Sequence, residues 1–556
     1  MKNLKYTILF LFGIAAISAC KNEFLERPPV DSIVDAGFYK TDEQVLAGTA
    51  LLYSKVWFDY NDKASFGLGD FRAGTAFSAY NYRDNVLFNT TGSSANNGSA
   101  WRAFFNVVGQ SNLAIQNIKK YAGSEVSEEV KKMGIAEARF MRAVAYRFLT
   151  MNWGDVPIIE NNLEILSDTT VSRNTTQSVW KFITSEMRDL SKDLPETPLR
   201  EGRLTKWSAE AMLARFYLTR AGVEVSGGMR NQTLLDSAKY YADRVISQGN
   251  YALMNNYEDL FKYPYDNNSE SLFSLQWVYA QNAWGAQNST PAYLAYSSDI
   301  ANGDGWGGDI SATWWMLGLY DGIKQTETGM AGRTLDQRLK ATYMLPGASY
   351  PEITQTIDGG EQSLIFPFLD SDRNFASIKK YITGKAKDVD GQAASQNYGN
   401  DTYMQRLAEL YLIYAEAELG NQESTNDPKA LAYFNAVHTR AGLPAYEEAL
   451  TFDTIFKERI IEFAMEGMAW YDFVRLHYYD PEKAYSILNS QDRGIFAVAP
   501  DQFPNPTNWT FTKTSWSTTD RTVTANSGNF LLPIPAAELS QAPNLSKPAV
   551  DYYQQN

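Results

Sequence analysis

Cys20 is the only cysteine among 556 residues, and it directly follows Ile17-Ser18-Ala19. Before it stand Lys2 and Lys5 and an apolar run over 6–17. A basic start, a short apolar stretch and small residues before a cut make a secretory signal over 1–19. The run is too short to span a bilayer. A cysteine at the cut is the layout in which a bacterial lipoprotein takes a diacylglycerol, so Cys20 is the expected lipidation site. Each buried CH₂ adds about 0.8 kcal/mol of membrane affinity, and several acyl chains hold a protein firmly. The rival reading, a buried cysteine behind an ordinary signal, gives the thiol no core to enter. Residues 20–30 then form a lipid-anchored tether, and nothing relies on disulfides.

Catalytic chemistry is harder to assemble. A serine or cysteine nucleophile needs a histidine beside it. Only His438 and His477 exist, both in helical patterns, and they read as ordinary helix-surface or boundary residues. No cluster of zinc-type ligands is visible. Glu458, Glu462 and Glu466 repeat at i, i+4, i+8. A glycosidase pair would flank a bond in a cleft, its carboxyl groups about 5–9.5 Å apart. These three share one helix stripe with Lys457 and Arg459, so ion pairing on a helix surface is expected. No catalytic residue is assigned. Asn302, Asp304 and Asp309 offer hard oxygen ligands of the kind Ca²⁺ takes, but no bidentate Glu follows at EF-hand spacing. A glycine-rich turn is expected there, with no metal and no cofactor.

Ring stacking is the chemistry that composition favours. Aromatic residues make up 14%, with 34 Tyr and 13 Trp. Five tryptophans fall between 277 and 315: Trp277, Trp284, Trp306, Trp314 and Trp315. Tyr and Trp offer flat apolar faces with a polar handle, on which a neutral ligand can stack. Amides, carboxylates and Arg add hydrogen bonds at a net gain of about 0.5–1.5 kcal/mol per bond. Trp284, in QNAWGAQNS, and Trp306, in NGDGWGGD, have small polar neighbours and no periodicity, as loop-tip aromatics do. Tyr296 lies between them. Over 57–100, Arg72, Tyr80, Tyr82 and Arg83 are further candidate stackers and hydroxyl binders. The competing reading of each aromatic is a packed or solvent-facing loop residue. Trp277 and at least one of Trp314 and Trp315 read as core. Trp101, Trp153, Trp180, Trp207 and Trp470 read as scaffold.

The elements that must position these residues are mostly helices. Helical spacing of apolar residues covers 38–56, 101–121, 137–151, 176–192, 206–221 and 234–248, then 404–419, 428–440 and 454–476. The fold expected is all-α, mainly helical, with antiparallel helix pairs stacked as a solenoid. The helical scaffold spans about 31–250 and 401–480. A loop-rich insertion with short strands spans about 251–400. Residues 57–100 and about 481–556 read as irregular. No apolar stretch after Cys20 is long enough to cross a membrane. Net charge is −14, which disfavours nucleic acid and anionic lipid surfaces and leaves neutral ligands.

Several stretches, in order, carry a family resemblance. EARFMRAVAYRFLTMNWGDVPII (137–159), GRLTKWSAEAMLARFYL (202–218) and YALMNNYEDLF (251–261) are the first three. RLAELYLIYAEAEL (406–419), RAGL (440–443), IFKERIIEFAMEGMAWYDFVR (455–475) and LLPIPAAELSQAPNL (531–545) complete the set. Together they resemble SusD/RagB-like outer-membrane nutrient-binding lipoproteins of Bacteroidetes. Met468-Ala469-Trp470 departs from the pattern, since many members carry Arg after the glycine, and one expected salt bridge is thereby weakened. The resemblance implies a single domain over 31–556, with four tetratricopeptide-like helix pairs and a glycan site built by the loops. It implies a cell-surface lipoprotein, not an enzyme. Such a protein sits on a SusC-like TonB-dependent transporter and delivers oligo- or polysaccharide to it. Two rivals stand beside it. A glycoside hydrolase would need a convergent carboxylate pair. A helical-repeat lipoprotein would bind peptide or protein instead of glycan.

Overall fold

The computed structural model describes residues 37–165, 170–279, 284–367, 374–514 and 521–554. Cys20, the signal and the tether lie outside the described residues. Eleven helices carry the argument: α1 (Asp42–Ala50), α2 (Ala95–Tyr121), α3 (Glu128–Trp153), α4 (Thr176–Leu190), α5 (Lys206–Val223), α6 (Gln232–Gln248), α7 (Leu407–Leu419), α8 (Pro428–Arg440), α9 (Phe452–Glu462), α10 (Ala469–Tyr479) and α11 (Pro481–Ser490). Chain neighbours are spatial neighbours. α2 packs on α3, α3 on α4, α4 on α5 and α5 on α6; across the insertion, α6 packs on α7 and α7 on α8. This is the expected mainly helical stack of helix pairs.

α3 shows why these segments fold as they do. The Ser127 hydroxyl accepts from the N–H of Val130 at 3.3 Å, and Glu128 and Glu129 face the positive end of the helix dipole. Gly154, at φ +74°, ends the helix where a side chain would be strained. Phe140, Val144 and Phe148 form the buried stripe, and Phe148 stacks on Phe104 of α2 at 5.1 Å.

The strands are short. They are β1 (Ala76–Phe77), β2 (Ser271–Leu275), β3 (Ser311–Ala312), β4 (Ile323–Gln325), β5 (Gly329–Gly332), β6 (Ser349–Ile357), β7 (Gly360–Ile365), β8 (Thr402–Arg406), β9 (Phe496–Pro500) and β10 (Trp509–Lys513). β6 and β7 make a hairpin, and a four-stranded sheet runs β9-β10-β5-β4. No helix among the described residues is long and apolar enough to cross a membrane.

Several segments depart from the sequence expectation, among them α11, β9 and β10 within 481–556, which was expected to be irregular. Residues 404–406 belong to β8, paired with β2, and helix starts only at Leu407. All five β8 residues are buried, and a fully buried strand shows no alternation to distinguish it from helix. The expected helix over 454–476 breaks between α9 and α10. Met465 (φ +61°) and Gly467 (φ +72°) reverse the chain, and the Asp70 carboxylate accepts both of their N–H groups at 2.7 Å. Burial pushes Asp70 up to about 6, against the pull of those two donors. Residues 57–71, expected to be irregular, contain the helical turns Tyr60–Ala64 and Gly67–Phe71.

The carboxylate stripe of α9 is also corrected. Glu458, Glu462 and Glu466 are buried. Glu462 accepts from Arg406 at 2.6 Å, Arg440 at 2.5 Å and Arg338 at 3.0 Å. Glu466 accepts from Arg406 and from Lys380, and Glu458 from Arg338 at 2.6 Å. Glu270 completes the group by accepting from Arg406 and Arg440. Burial alone would raise Glu462, but Arg440, Arg406 and Arg338 outweigh it and hold the carboxyl well below the usual range. The cations come from residues 338, 380, 406 and 440, so no local pattern announces them. A second buried group joins Arg215 and Arg459 to Glu409, and Arg230 and Arg475 to Glu416.

Candidate functional site

The segment 284–306 is laid along the 57–71 helical turns. The Asn61 amide donates to Asn288 Oδ1 at 2.9 Å, and the Ser289 hydroxyl donates to Asp62 at 2.5 Å. Tyr293 is buried beside Phe66 and lies under the Lys63 ammonium. Burial, then the charges of Asp309 and Asp62, push the Tyr293 hydroxyl well up, so it stays protonated. The two nominated tryptophans stand near the two ends of this anchored segment.

Trp284 is 63% exposed. It rests edge-on against Phe58 at 5.6 Å, and Phe58 in turn meets the buried Trp277 at 6.5 Å. Trp277 is fixed because its indole N–H donates to Thr402 Oγ1 at 3.0 Å. The turn after Trp284 is closed by Gly285 N–H donating to Gln287 and Val278 N–H donating to Ala286. An exposed ring on a fixed support can stack without first losing much conformational freedom.

Trp306 is 55% exposed. Its backbone N–H donates to Ala292, and that of Gly307 donates to Ala295 at 2.8 Å. A Cβ on Gly305 or Gly307 would lie 2.2 Å from the backbone of Ser297 or Leu294, so only glycine permits this approach. Three residues on, Asp309 bridges to the other candidate loop. One of its oxygens accepts from Ser78 Oγ (2.8 Å), Ala79 N–H (2.9 Å) and Tyr80 N–H (3.2 Å). Just beyond, β1 pairs antiparallel with β3, Ala76 facing Ala312. Tyr80, 80% exposed, is therefore held beside the Trp306 loop.

Not every nominated residue reaches this surface. Arg72 is 1% exposed and donates to the carbonyls of Asn529 (2.6 Å) and Phe530 (2.9 Å) between the rings of Phe88 and Trp470. Burial lowers its guanidinium to about 9, and it ties the C-terminal segment to the scaffold instead of meeting a ligand. Tyr82 is buried, its ring filling the space a Cβ on Gly67 would need. Tyr296 is buried edge-on to Phe366 at 5.0 Å. These three are corrected from candidate ligands to packing residues. Arg83 is exposed at the start of the single turn Arg83–Val86. Tyr80, Arg83, Trp284 and Trp306 are thus the nominated residues that stay exposed, and Tyr80 is tied to the Trp306 loop through Asp309.

Asp309 lies in the expected glycine-rich turn, but its bridge to the 78–80 loop is unexpected from sequence. Its partners lie at 78–80, and nothing local marks them. Asn302 and Asp304 serve other ends: Asn302 accepts from Ala386 N–H at 2.8 Å, and Asp304 accepts from Gln396 N–H at 2.6 Å. Among the described residues no group of three His, Cys, Asp or Glu side chains is arranged to hold a metal. His438 Nδ1 lies 2.9 Å from Glu458, and His477 stacks on Phe530 at 3.8 Å. Burial lowers His477 to about 4, so it is neutral at pH 7.

Residues 260–553 match the SusD family, and 43–218 match a family described as starch-binding associating with outer membrane. A SusD-like protein of Bacteroides ovatus is 34% identical over 548 residues, 96% of each chain. A structure solved with a xylogluco-oligosaccharide is 32% identical, covers 91% of this chain and 99% of its own, and superposes with a TM-score of 0.80. A laminarin-binding SusD-like protein shares the fold, with a TM-score of 0.63 at 22% identity over 90% of this chain and 98% of its own. The chain belongs to the SusD family.

Proposed function

We propose that this chain is a surface lipoprotein that captures oligo- or polysaccharide on the Tyr80, Trp284 and Trp306 rings. It then delivers the ligand to a SusC-like TonB-dependent transporter in the outer membrane. The observation that carries the reading is the exposure of these three rings on loops fixed by packed and hydrogen-bonded supports. Each ring offers a flat apolar face to one sugar. Arg83 stands near Tyr80 in the chain to meet hydroxyls. Each hydrogen bond adds little after water is displaced, so affinity grows with the number of rings engaged. The solved relative holding a xylogluco-oligosaccharide supports a neutral glucan-type ligand.

No bond is broken in this reading. The carboxylates that resemble an acid–base set are matched to buried cations. Attachment through a lipid on Cys20 keeps the binding surface at the membrane where a transporter would receive the glycan.

A glycan panel that includes xylogluco-oligosaccharides, run against the purified protein by calorimetry, tests the capture step. Binding to one neutral class without release of reducing ends is expected. Absence of binding to every saccharide, or turnover of one, overturns the reading. Co-purification with a TonB-dependent barrel tests delivery, and mass analysis of Cys20 tests the anchor.

A further inference from the structure

A cavity of 570 Å³, lined by none of the exposed rings, lies between Arg333–Tyr350 and the loop that leads into β10. That volume falls in the range of about 300–1,000 Å³ typical of small-ligand sites. Its apolar walls include Leu345, Pro506 and Trp509. The Trp509 indole N–H donates to the Pro346 carbonyl at 3.0 Å, which fixes the ring. The loop beyond is closed by Asp501, which accepts from the Thr507 N–H at 2.9 Å. Pro506 packs on Gly347, where a Cβ would come within 2.6 Å.

Charge distinguishes this cavity from the rest of the molecule. Arg333 and Lys340 line it in a chain of net charge −14. Arg333 is exposed, and among the described residues no carboxylate lies within 4 Å of its guanidinium. Lys340 is paired with Glu258 at 3.5 Å but stays exposed enough to reach a ligand as well. The acid in the lining, Asp336, is buried and already bonded through both oxygens to Arg338 at 2.9 and 2.7 Å. Among the described lining residues the unpaired charge is therefore the positive one of Arg333, above an apolar floor with amides at Gln337 and Asn505.

We infer that this cavity is a second saccharide site, selective for an acidic sugar whose carboxylate meets Arg333 and Lys340 while its ring lies against Trp509. The ligand class rests on the carbohydrate reading above; the location and the charge preference do not depend on the Trp284–Trp306 platform. Part-exposed charge pairs are individually weak and salt-sensitive. The site should therefore add selectivity more than affinity.

The test compares tetragalacturonate with its methyl ester, which keeps the chain and removes the charge. Calorimetry on the purified protein should show the acid binding about fivefold tighter at low salt, as one or two such pairs supply. Arg333→Gln should erase that difference, and Trp509→Ala should weaken both compounds. The Trp284→Ala, Trp306→Ala double variant should keep the difference. Equal affinities for acid and ester, a difference that survives Arg333→Gln combined with Lys340→Gln, or a difference lost in the tryptophan double variant each overturn the proposal. Failure of the platform reading shows separately, as neutral-glycan binding that the Trp284→Ala, Trp306→Ala double variant leaves unchanged. Arg333 is a surface residue, so its variant remains informative if Trp509→Ala fails to fold.

Discussion

The carboxylates of α9 and the rings of the 284–306 segment are the two places where residue type alone invites chemistry. They end in opposite environments. Glu462 has lost contact with water and is held by three arginines from distant parts of the chain. Trp284 and Trp306 keep more than half of their surface in solvent although their supports are buried. Inside, every charge of the α9 group is matched, and the group has no spare capacity for a substrate. Outside, flat faces are fixed but unmatched. Chemistry in this protein is therefore to be sought where a side chain is ordered and unsatisfied, not where reactive residue types are densest.

Removing one charge from the interior should give the largest effect. Glu462→Gln leaves Arg338, Arg406 and Arg440 with an uncompensated buried charge, at a cost of about 3–5 kcal/mol. A large drop in the thermal midpoint is expected, and an unchanged midpoint would mean that water reaches the group.

Acid attacks the same interior more gradually. Burial alone would raise Glu409 and Glu416, but Arg215 and Arg459 on the first, and Arg475 and Arg230 on the second, hold both at about 2. Their folded-state values lie below the unfolded ones. Their stabilisation is full above about pH 4.5 and is lost as pH falls toward 2. Asp70 and Asp266 run the other way, since burial raises each to about 6. Protonating them favours the folded state as pH falls from above 6 toward about 4. His477, lowered to about 4, opposes them, because its contribution is lost as pH falls from about 6.5 toward 4; thermal melts should therefore vary little between about pH 5 and 7 and fall steeply below about 4.5. A monotonic rise up to pH 8 would contradict this assignment.

The exterior should respond in binding and not in stability. The Trp284→Ala, Trp306→Ala double variant should lose at least about tenfold in glycan affinity, or about 1.4 kcal/mol. Its melting temperature should stay within a few degrees, because the rings support nothing. A matched fall in both would place the tryptophans with the scaffold.

The smallest effect tests the link between the two exposed loops. Asp309→Ala should weaken binding about threefold, and combining it with Tyr80→Ala should cost no more than Tyr80→Ala alone. Additive losses would show that Asp309 acts on something other than the Tyr80 loop.

Much of the scaffold was legible because its signals are local. α3 carries its cap, its apolar repeat and its glycine stop within one stretch. Trp284 and Trp306 were legible for the opposite reason, since small polar neighbours leave a ring nowhere to bury. What escaped reading was set by distant partners. The break after α9 depends on Asp70, far away in sequence. The α9 carboxylates look like a surface stripe until Arg338 and Arg406 fold over them. Arg72, Tyr82 and Tyr296 sit in a polar, irregular context, yet Trp470, Gly67 and Phe366 enclose them.

The single oxygen of Asp309 that receives three donors from residues 78–80 has a consequence for what such a surface can discriminate. It sets the gap between two rings as the jaws of a caliper are set, by a screw that belongs to neither jaw. Changing a ring alters how hard the jaws grip, whereas shifting that carboxylate alters the pitch they measure. On the proposed reading, a polymer whose repeat matches the gauge would be held at both jaws at once, and one of a different pitch only at one.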